Sequence, residues 1–173
     1  MPLYFAYGSN MDRAAMLARC PHSRPLGPAR LMRHRFFVCA DGYASIGPDP
    51  RRVVWGLLWD LALKDVPALD RYESIATGLY TKAVRPVLTA AGPRRAMLYV
   101  ARSTTAGAPK PDYMEAIVAA AAEADLPEAY RREIGAFLPQ AAAQPAQRPQ
   151  VRPLWSAPGH ARGARRARAG DGA

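Results

Sequence analysis

Leu3-Tyr4-Phe5-Ala6-Tyr7-Gly8-Ser9-Asn10-Met11 opens on an apolar run that stops at a glycine and passes into polar residues. Residues 3–7 read as a short strand, and Asn10 is placed to cap a helix over 11–19, whose Met11, Ala14, Ala15 and Leu17 form an apolar stripe. Strand, polar turn and helix together build sites. Gly8 lets a ligand approach the backbone, and the amides that follow carry partial positive charge into the same space. Such a turn receives a carboxylate or a developing oxyanion. The same residues also describe a plain strand-to-helix turn with a good cap, and spacing does not separate the two. Serine catalysis at Ser9 would need a base from His22, His34 or His160, none of them close in sequence.

Outward from this stretch, residues 30–39, 44–46, 53–61, 80–88 and 95–101 are rich in Val, Leu, Phe, Trp or Tyr, and turn residues such as Asp41-Gly42 and Ala91-Gly92-Pro93 separate them. They read as strands. A short helix is expected at 65–72, with Asp65 as its cap, and two closing helices at 112–123 and 127–137, the second with Pro127 near its first turn. Strands outnumber helices without βαβ alternation, which predicts an α+β fold whose mostly non-parallel sheet curls into a small barrel. No GxGxxG or P-loop spacing supports nucleotide binding.

The chain has 173 residues, 50% of them apolar and 22% charged, enough for one domain with a real core. After Leu138-Pro139 the composition turns to Ala, Gln, Pro, Arg and Gly. A domain over 1–140 and a disordered Pro/Ala/Arg-rich tail over 141–173 are expected. The net charge of +10 divides between them: 18 Lys or Arg against 13 Asp or Glu up to residue 140, and 6 Arg against 1 Asp beyond it. A basic tail can meet nucleic-acid phosphates, but it lacks interleaved aromatics for base stacking, so a solvated tail is the expectation. Cys20 and Cys39 lack CxxC neighbours, and the three histidines lack ligand spacing, so no metal is expected. No apolar run has membrane-spanning length and no signal peptide opens the chain, which predicts a cytoplasmic protein without a membrane partner.

The second stretch with chemical content is Leu69-Asp70-Arg71-Tyr72-Glu73, at the end of the short helix. Residues four apart share a helix face, so Glu73 falls beneath Leu69 and is aimed inward, while Arg71 points elsewhere. Apolar walls raise a carboxyl's pKa by desolvation and make it a proton acceptor and donor near neutral pH. The other reading pairs Glu73 with an arginine at the helix end. Asp70, the competing carboxylate, is expected to be structural, near the helix terminus or on backbone amides.

Tyr4-Phe5-Ala6-Tyr7-Gly8-Ser9-Asn10-Met11, Val54-Trp55-Gly56-Leu57-Leu58-Trp59 and Leu69-Asp70-x-x-Glu73 with Tyr80 seven residues on resemble, in this order, the gamma-glutamylcyclotransferase family, over about residues 3–138. The resemblance implies a small mixed β-barrel with flanking helices, no metal or organic cofactor, and a small-molecule gamma-glutamyl substrate that cyclises to 5-oxoproline and releases an amine. By resemblance Glu73 is the acid/base glutamate. The backbone of Tyr7, Gly8, Ser9 and Asn10 is the substrate-binding loop, Tyr4 opens that segment, and Tyr80 is a pocket tyrosine. Tyr99 and Tyr113 are further candidates of that kind. The departures are Ser74, where many relatives have glycine, and the arginine-rich tail. The glutathione-specific branch reads Tyr-Gly-Ser-Leu, so Asn10 argues against glutathione as the main substrate. Besides a cyclotransferase, the residues admit a non-catalytic binding module for a gamma-glutamyl-type metabolite, or a protein whose basic tail contacts nucleic acid.

Overall fold

A computed structural model of the chain describes residues 2–139; the basic tail expected over 141–173 lies outside the described residues. Five strands, β1 (Leu3–Ala6), β2 (Arg24–Val38), β3 (Ala44–Asp60), β4 (Tyr80–Thr89) and β5 (Gly92–Ala101), close into a barrel in the order β1-β3-β2-β4-β5. All pairings are antiparallel except β1 with β5, which is parallel, with Tyr4 opposite Met97. The sheet is therefore mixed, and the α+β barrel expected from the strand count is the observed fold. Four helices flank it: α1 (Arg13–Arg19), α2 (Val66–Tyr72), α3 (Tyr113–Glu123) and α4 (Glu128–Gly135). Among the described residues no helix is long and apolar enough to cross a membrane.

The long β2–β3 hairpin differs from the expectation of shorter strands. Residues 44–46 and 53–60 belong to one strand that runs straight through Gly47-Pro48-Asp49-Pro50, and β2 begins at Arg24, through Pro25, Gly27 and Pro28. Proline usually interrupts a sheet because it lacks the N–H of the ladder. Here β1 pairs only with Leu57–Asp60, so Pro48 sits where β3 needs a partner on one side, opposite His34 of β2. The register of the hairpin shifts between Met32 and His34, where Arg33 has φ 60° and faces the proline segment, and again between Pro25 and Gly27 (φ +119°) near the other end.

Phe5, Leu31, Val54, Leu57, Val87 and Leu98 of the strands share one buried core, and over Leu57–Trp59 both faces of β3 are covered. α3 adds Met114, Ile117 and Ala121, and α4 adds Tyr130 and Ile134. Phe36 of β2 meets Phe137, just past α4, edge to face at 5.5 Å and ties the last helix to the barrel.

Gly56, second in the Trp-Gly-Leu-Leu-Trp run, is buried where β3 pairs with the end of β1. A Cβ there would land against the backbone carbonyl of Ala6 and 3.0 Å from the Phe5 ring. Backbone packed this closely has no flexible group to yield. Gly56→Ala is expected to destabilise the protein by about 3 kcal/mol or more, measured by urea unfolding; a loss under about 0.5 kcal/mol would mean that β1 can move aside.

Candidate active site

The C-terminal end of β1 and the C-terminal end of α2 converge on one pocket. Tyr4, Tyr7, Gly8, Ser9, Asn10, Ala44, Glu73, Tyr80, Tyr99 and Tyr113 line it, with about 280 Å³ of empty space including its mouth. A second hollow of about 480 Å³ adjoins it, sharing Ser9, Glu73, Tyr80 and Tyr113 and adding Tyr43, Tyr72, Ser74 and Leu79. All the candidate residues named from sequence thus come together, Tyr99 and Tyr113 among them.

The local structure after β1 differs from the expected capped helix. Ser9–Met11 form a 3-10 turn closed by Met11 N–H on Gly8 O at 3.0 Å, and α1 starts only at Arg13. Its cap is Asp12, whose carboxylate accepts from Ala15 N–H at 3.0 Å. Asn10 is thereby released from capping and its side chain is buried instead, 3% exposed. Being at the start of a 3-10 turn, the Ser9 and Asn10 amides have no partner within it.

Glu73 caps the other end of the site. Its N–H bonds Leu69 O at 3.0 Å, Ser74 N–H bonds Arg71 O at 3.1 Å, and Ile75 N–H bonds Asp70 O at 3.1 Å. This is a Schellman closure, whose left-handed position is usually glycine. Ser74 occupies it with φ 53°. Ser74→Gly is accordingly expected to raise stability by about 0.5–1 kcal/mol without moving Glu73, read from the thermal midpoint; a fall in stability would contradict this view of the loop.

Asn10 Nδ2 donates to Glu73 Oε1 at 2.7 Å and to Tyr4 OH at 2.9 Å, while Asn10 Oδ1 accepts from Arg19 Nη1. The Arg19 guanidinium lies 3.4 Å above the Tyr72 ring, and Tyr72 OH shares a hydrogen bond with Ser9 Oγ at 2.9 Å. Glu73 therefore has an arginine in its surroundings but no direct ion pair with it among the described residues. Burial pushes its carboxyl up to about 7, against the opposing pull of Arg19 and the Asn10 hydrogen bond.

The tyrosines have their hydroxyls tied to neighbours. Tyr7 donates to Tyr99 O at 2.6 Å, Tyr80 to Ala44 O at 2.6 Å and Tyr99 to Asp70 Oδ1 at 2.6 Å, while Tyr113 accepts from Ala44 N–H at 3.1 Å. Burial raises the pKa of Tyr4, Tyr7, Tyr80, Tyr99 and Tyr113, so all five stay neutral phenols. Asp70 is structural, as expected, though by other contacts: it bonds Tyr99 and the Lys82 ammonium, 2.6 Å away, rather than backbone amides.

Asp65 also departs from its expected role. Its side chain caps nothing and is buried, accepting from His22 N–H and Ser23 Oγ and paired with His22 Nδ1 at 3.0 Å. His22 thus serves a structural carboxylate away from Ser9. Sequence reasoning missed Arg19, Tyr72 and Ala44 at the site. Arg19 and Tyr72 are ordinary helix-end residues whose meeting depends on the approach of α1 to α2, and no local pattern marks it.

An AIG2-like family model matches residues 53–134, which include Glu73, Tyr80, Tyr99 and Tyr113 but not the Tyr7–Asn10 loop. Mouse and human gamma-glutamylcyclotransferase are each 28% identical to this chain over 151 and 148 residues, covering 79% of it and 79% of theirs. A solved gamma-glutamyl cyclotransferase superposes with a TM-score of 0.75 at 26% identity, covering 82% of this chain and 90% of its own. A human protein described as uncharacterized gives 0.73 at 28% identity, covering 80% and 89%. Barrel and flanking helices define a gamma-glutamylcyclotransferase-like fold. The chain carries an AIG2-like segment and is similar in sequence and fold to the gamma-glutamylcyclotransferases.

The raised carboxyl of Glu73 has a consequence for stability. Its folded-state pKa lies above the unfolded value of 4.5, so the protonated form favours folding fully below 4.5, and that contribution is lost as pH rises to about 7. Relative to Glu73→Gln, the wild type is expected to lose on the order of 2–3 kcal/mol between pH 4.5 and 7.5. Urea unfolding of both proteins across that range measures it, and parallel pH curves would show that Glu73 titrates as in water.

Proposed function

We propose that the chain is a cyclotransferase that converts a gamma-glutamyl amino acid or gamma-glutamyl amine to 5-oxoproline and the free amine. The observation that supports this most is the placement of Glu73: one carboxyl, raised to about 7, in a pocket of neutral phenols beside the Gly8–Asn10 turn.

The α-ammonium nitrogen carries three protons and ends as a lactam N–H, so two protons leave it and the departing amine ends with both. The substrate's α-ammonium gives a proton to Glu73, and the freed amine attacks the γ-carbonyl carbon of the same molecule. A C–N bond forms, closing a five-membered ring, and negative charge moves to the carbonyl oxygen. When the intermediate collapses, the original γ-amide C–N bond breaks and the departing amine takes the proton from Glu73. The ring nitrogen gives its second proton to the vacated carboxylate, which passes it on to the free amine. A carboxyl near neutrality is suited to both transfers, which together contribute about 10²–10⁴ in rate. Amides of the Ser9–Asn10 turn stabilise the oxyanion, each such donor contributing about 2.7–4 kcal/mol. Nucleophile and electrophile share one molecule, so the pocket need only select the reactive rotamer. The adjoining hollow with Tyr43, Tyr72 and Leu79 accommodates the leaving group. Two buried free thiols, Cys20 and Cys39, suit action in the reducing cytoplasm.

Glu73→Gln is expected to lower kcat by at least about 10³-fold while substrate still binds, followed as 5-oxoproline formation from gamma-glutamyl amino acids, gamma-glutamyl amines and glutathione. In the wild type kcat/KM should fall below about pH 7 as the base becomes protonated. Turnover of Glu73→Gln at a near wild-type rate refutes the assignment, and calorimetric binding without product in the wild type replaces it by a receptor.

A further inference from the structure

Asn10 and Glu73 meet through a bond whose direction neither residue determines alone. An asparagine side chain rotated by half a turn exchanges its donor and acceptor and has nearly the same shape. In one orientation Nδ2 faces Glu73 and favours the carboxylate; in the other Oδ1 faces it and favours the protonated acid. We propose that Arg19 is a positioning residue that removes this ambiguity, holding Asn10 Oδ1 so that both Nδ2 hydrogens point at Tyr4 and Glu73.

The geometry supports each link. A guanidinium only donates, so the atom of Asn10 that faces Arg19 Nη1 must be the oxygen. Nδ2 then has two hydrogens and two acceptors, Tyr4 OH at 2.9 Å and Glu73 Oε1 at 2.7 Å, and the buried amide is fully satisfied. Arg19 is itself held over the Tyr72 ring, its Cζ 3.4 Å from the centroid, and it lies outside the residues that line the pocket. Its helix, α1, is anchored by buried Met16 and by the buried Cys20 that caps its end, which fixes where the guanidinium can reach.

The groups around Glu73 leave Arg19 as the means of direction. From α2, Asp70 opposes the carboxylate, but it is bound by Lys82 of β4 and Tyr99 of β5. Tyr4 of β1, Tyr7 of the loop, Tyr80 of β4 and Tyr113 of α3 present neutral phenols. Arg19 of α1 supplies cationic charge, and through Asn10 that charge arrives as a directed N–H.

The consequence for turnover rests on the cyclotransferase reading; the orientation itself does not. The experiment is a carbon-13 titration of the Glu73 carboxyl, its signal assigned by its loss in E73Q, in wild type, R19M, N10A and the N10A/R19M double variant, with 5-oxoproline kinetics alongside. R19M is expected to raise the Glu73 midpoint by about one unit and to lower kcat at pH 7 about fivefold, moving the acid limb of the pH profile by the same amount, with KM changed less than about twofold. The two single shifts should sum to clearly more than the double variant's, because the second substitution finds the relay already broken. R19K, which also only donates, should restore most of the midpoint. An unmoved midpoint in R19M overturns the proposal, and additive shifts in the double variant overturn the route through Asn10. Should R19M not fold, N10A decides alone, an unmoved midpoint there again overturning it. If wild type forms no 5-oxoproline, the cyclotransferase reading fails while the titration still judges Arg19.

Discussion

The hydrogen bond from Asn10 Nδ2 to Glu73 Oε1, 2.7 Å long, joins two segments 63 residues apart, and the pocket exists only where they meet. Closing the barrel places β1 beside both β3 and β5, which brings the β1 end over the end of α2. The carboxyl is then taken partly out of water with a single amide donor in direct contact. Desolvation outweighs both the arginine charge and that hydrogen bond, which is why the group titrates near 7 rather than below 4.5. At about 1.4 kcal/mol per unit, the net imbalance against the carboxylate is only a few kcal/mol, small enough for either protonation state to be reached.

The tyrosines serve this balance in two ways. Their rings exclude water, and their hydroxyls, bound to Tyr99 O, Ala44 O and Asp70, are held by the scaffold. Tyr99 also connects Asp70 to the pocket wall, so the carboxylate that competes with Glu73 for a catalytic role is occupied in positioning the barrel against α2. The edge-to-face contact of Tyr4 and Tyr99, 5.7 Å between centroids, closes the floor between them.

Much of this was legible locally. The opening strand, the short helix before Glu73 and the predominance of strands that points to a barrel all follow from apolar periodicity and turn residues, and α2 occupies the expected positions, although two of the six expected strands are one. The errors have one kind of cause. Asn10 and Asp65 both have cap-forming side chains just before a helix, yet both are buried by a partner from elsewhere: Asn10 by Glu73 and Tyr4, Asp65 by His22 and Ser23. The prolines of residues 48–50 read as a strand break because sequence does not reveal that β3 lacks a second neighbour there.

The amino-acid sequence by itself determined the opening strand, the short helix before Glu73 and the two candidate segments at their ends, because these depend on neighbours within a few residues, whereas the fit of Gly56 against Ala6 needed the pairing of β1 with β3. Tertiary structure alone decided which way the Asn10 amide faces, that Arg19 lies behind it and that Asp70 is occupied by Tyr99 and Lys82. Those outcomes turn on hydrogen-bond geometry between chain segments that only barrel closure brings within 3 Å of one another, and such distances leave no periodic trace in the sequence.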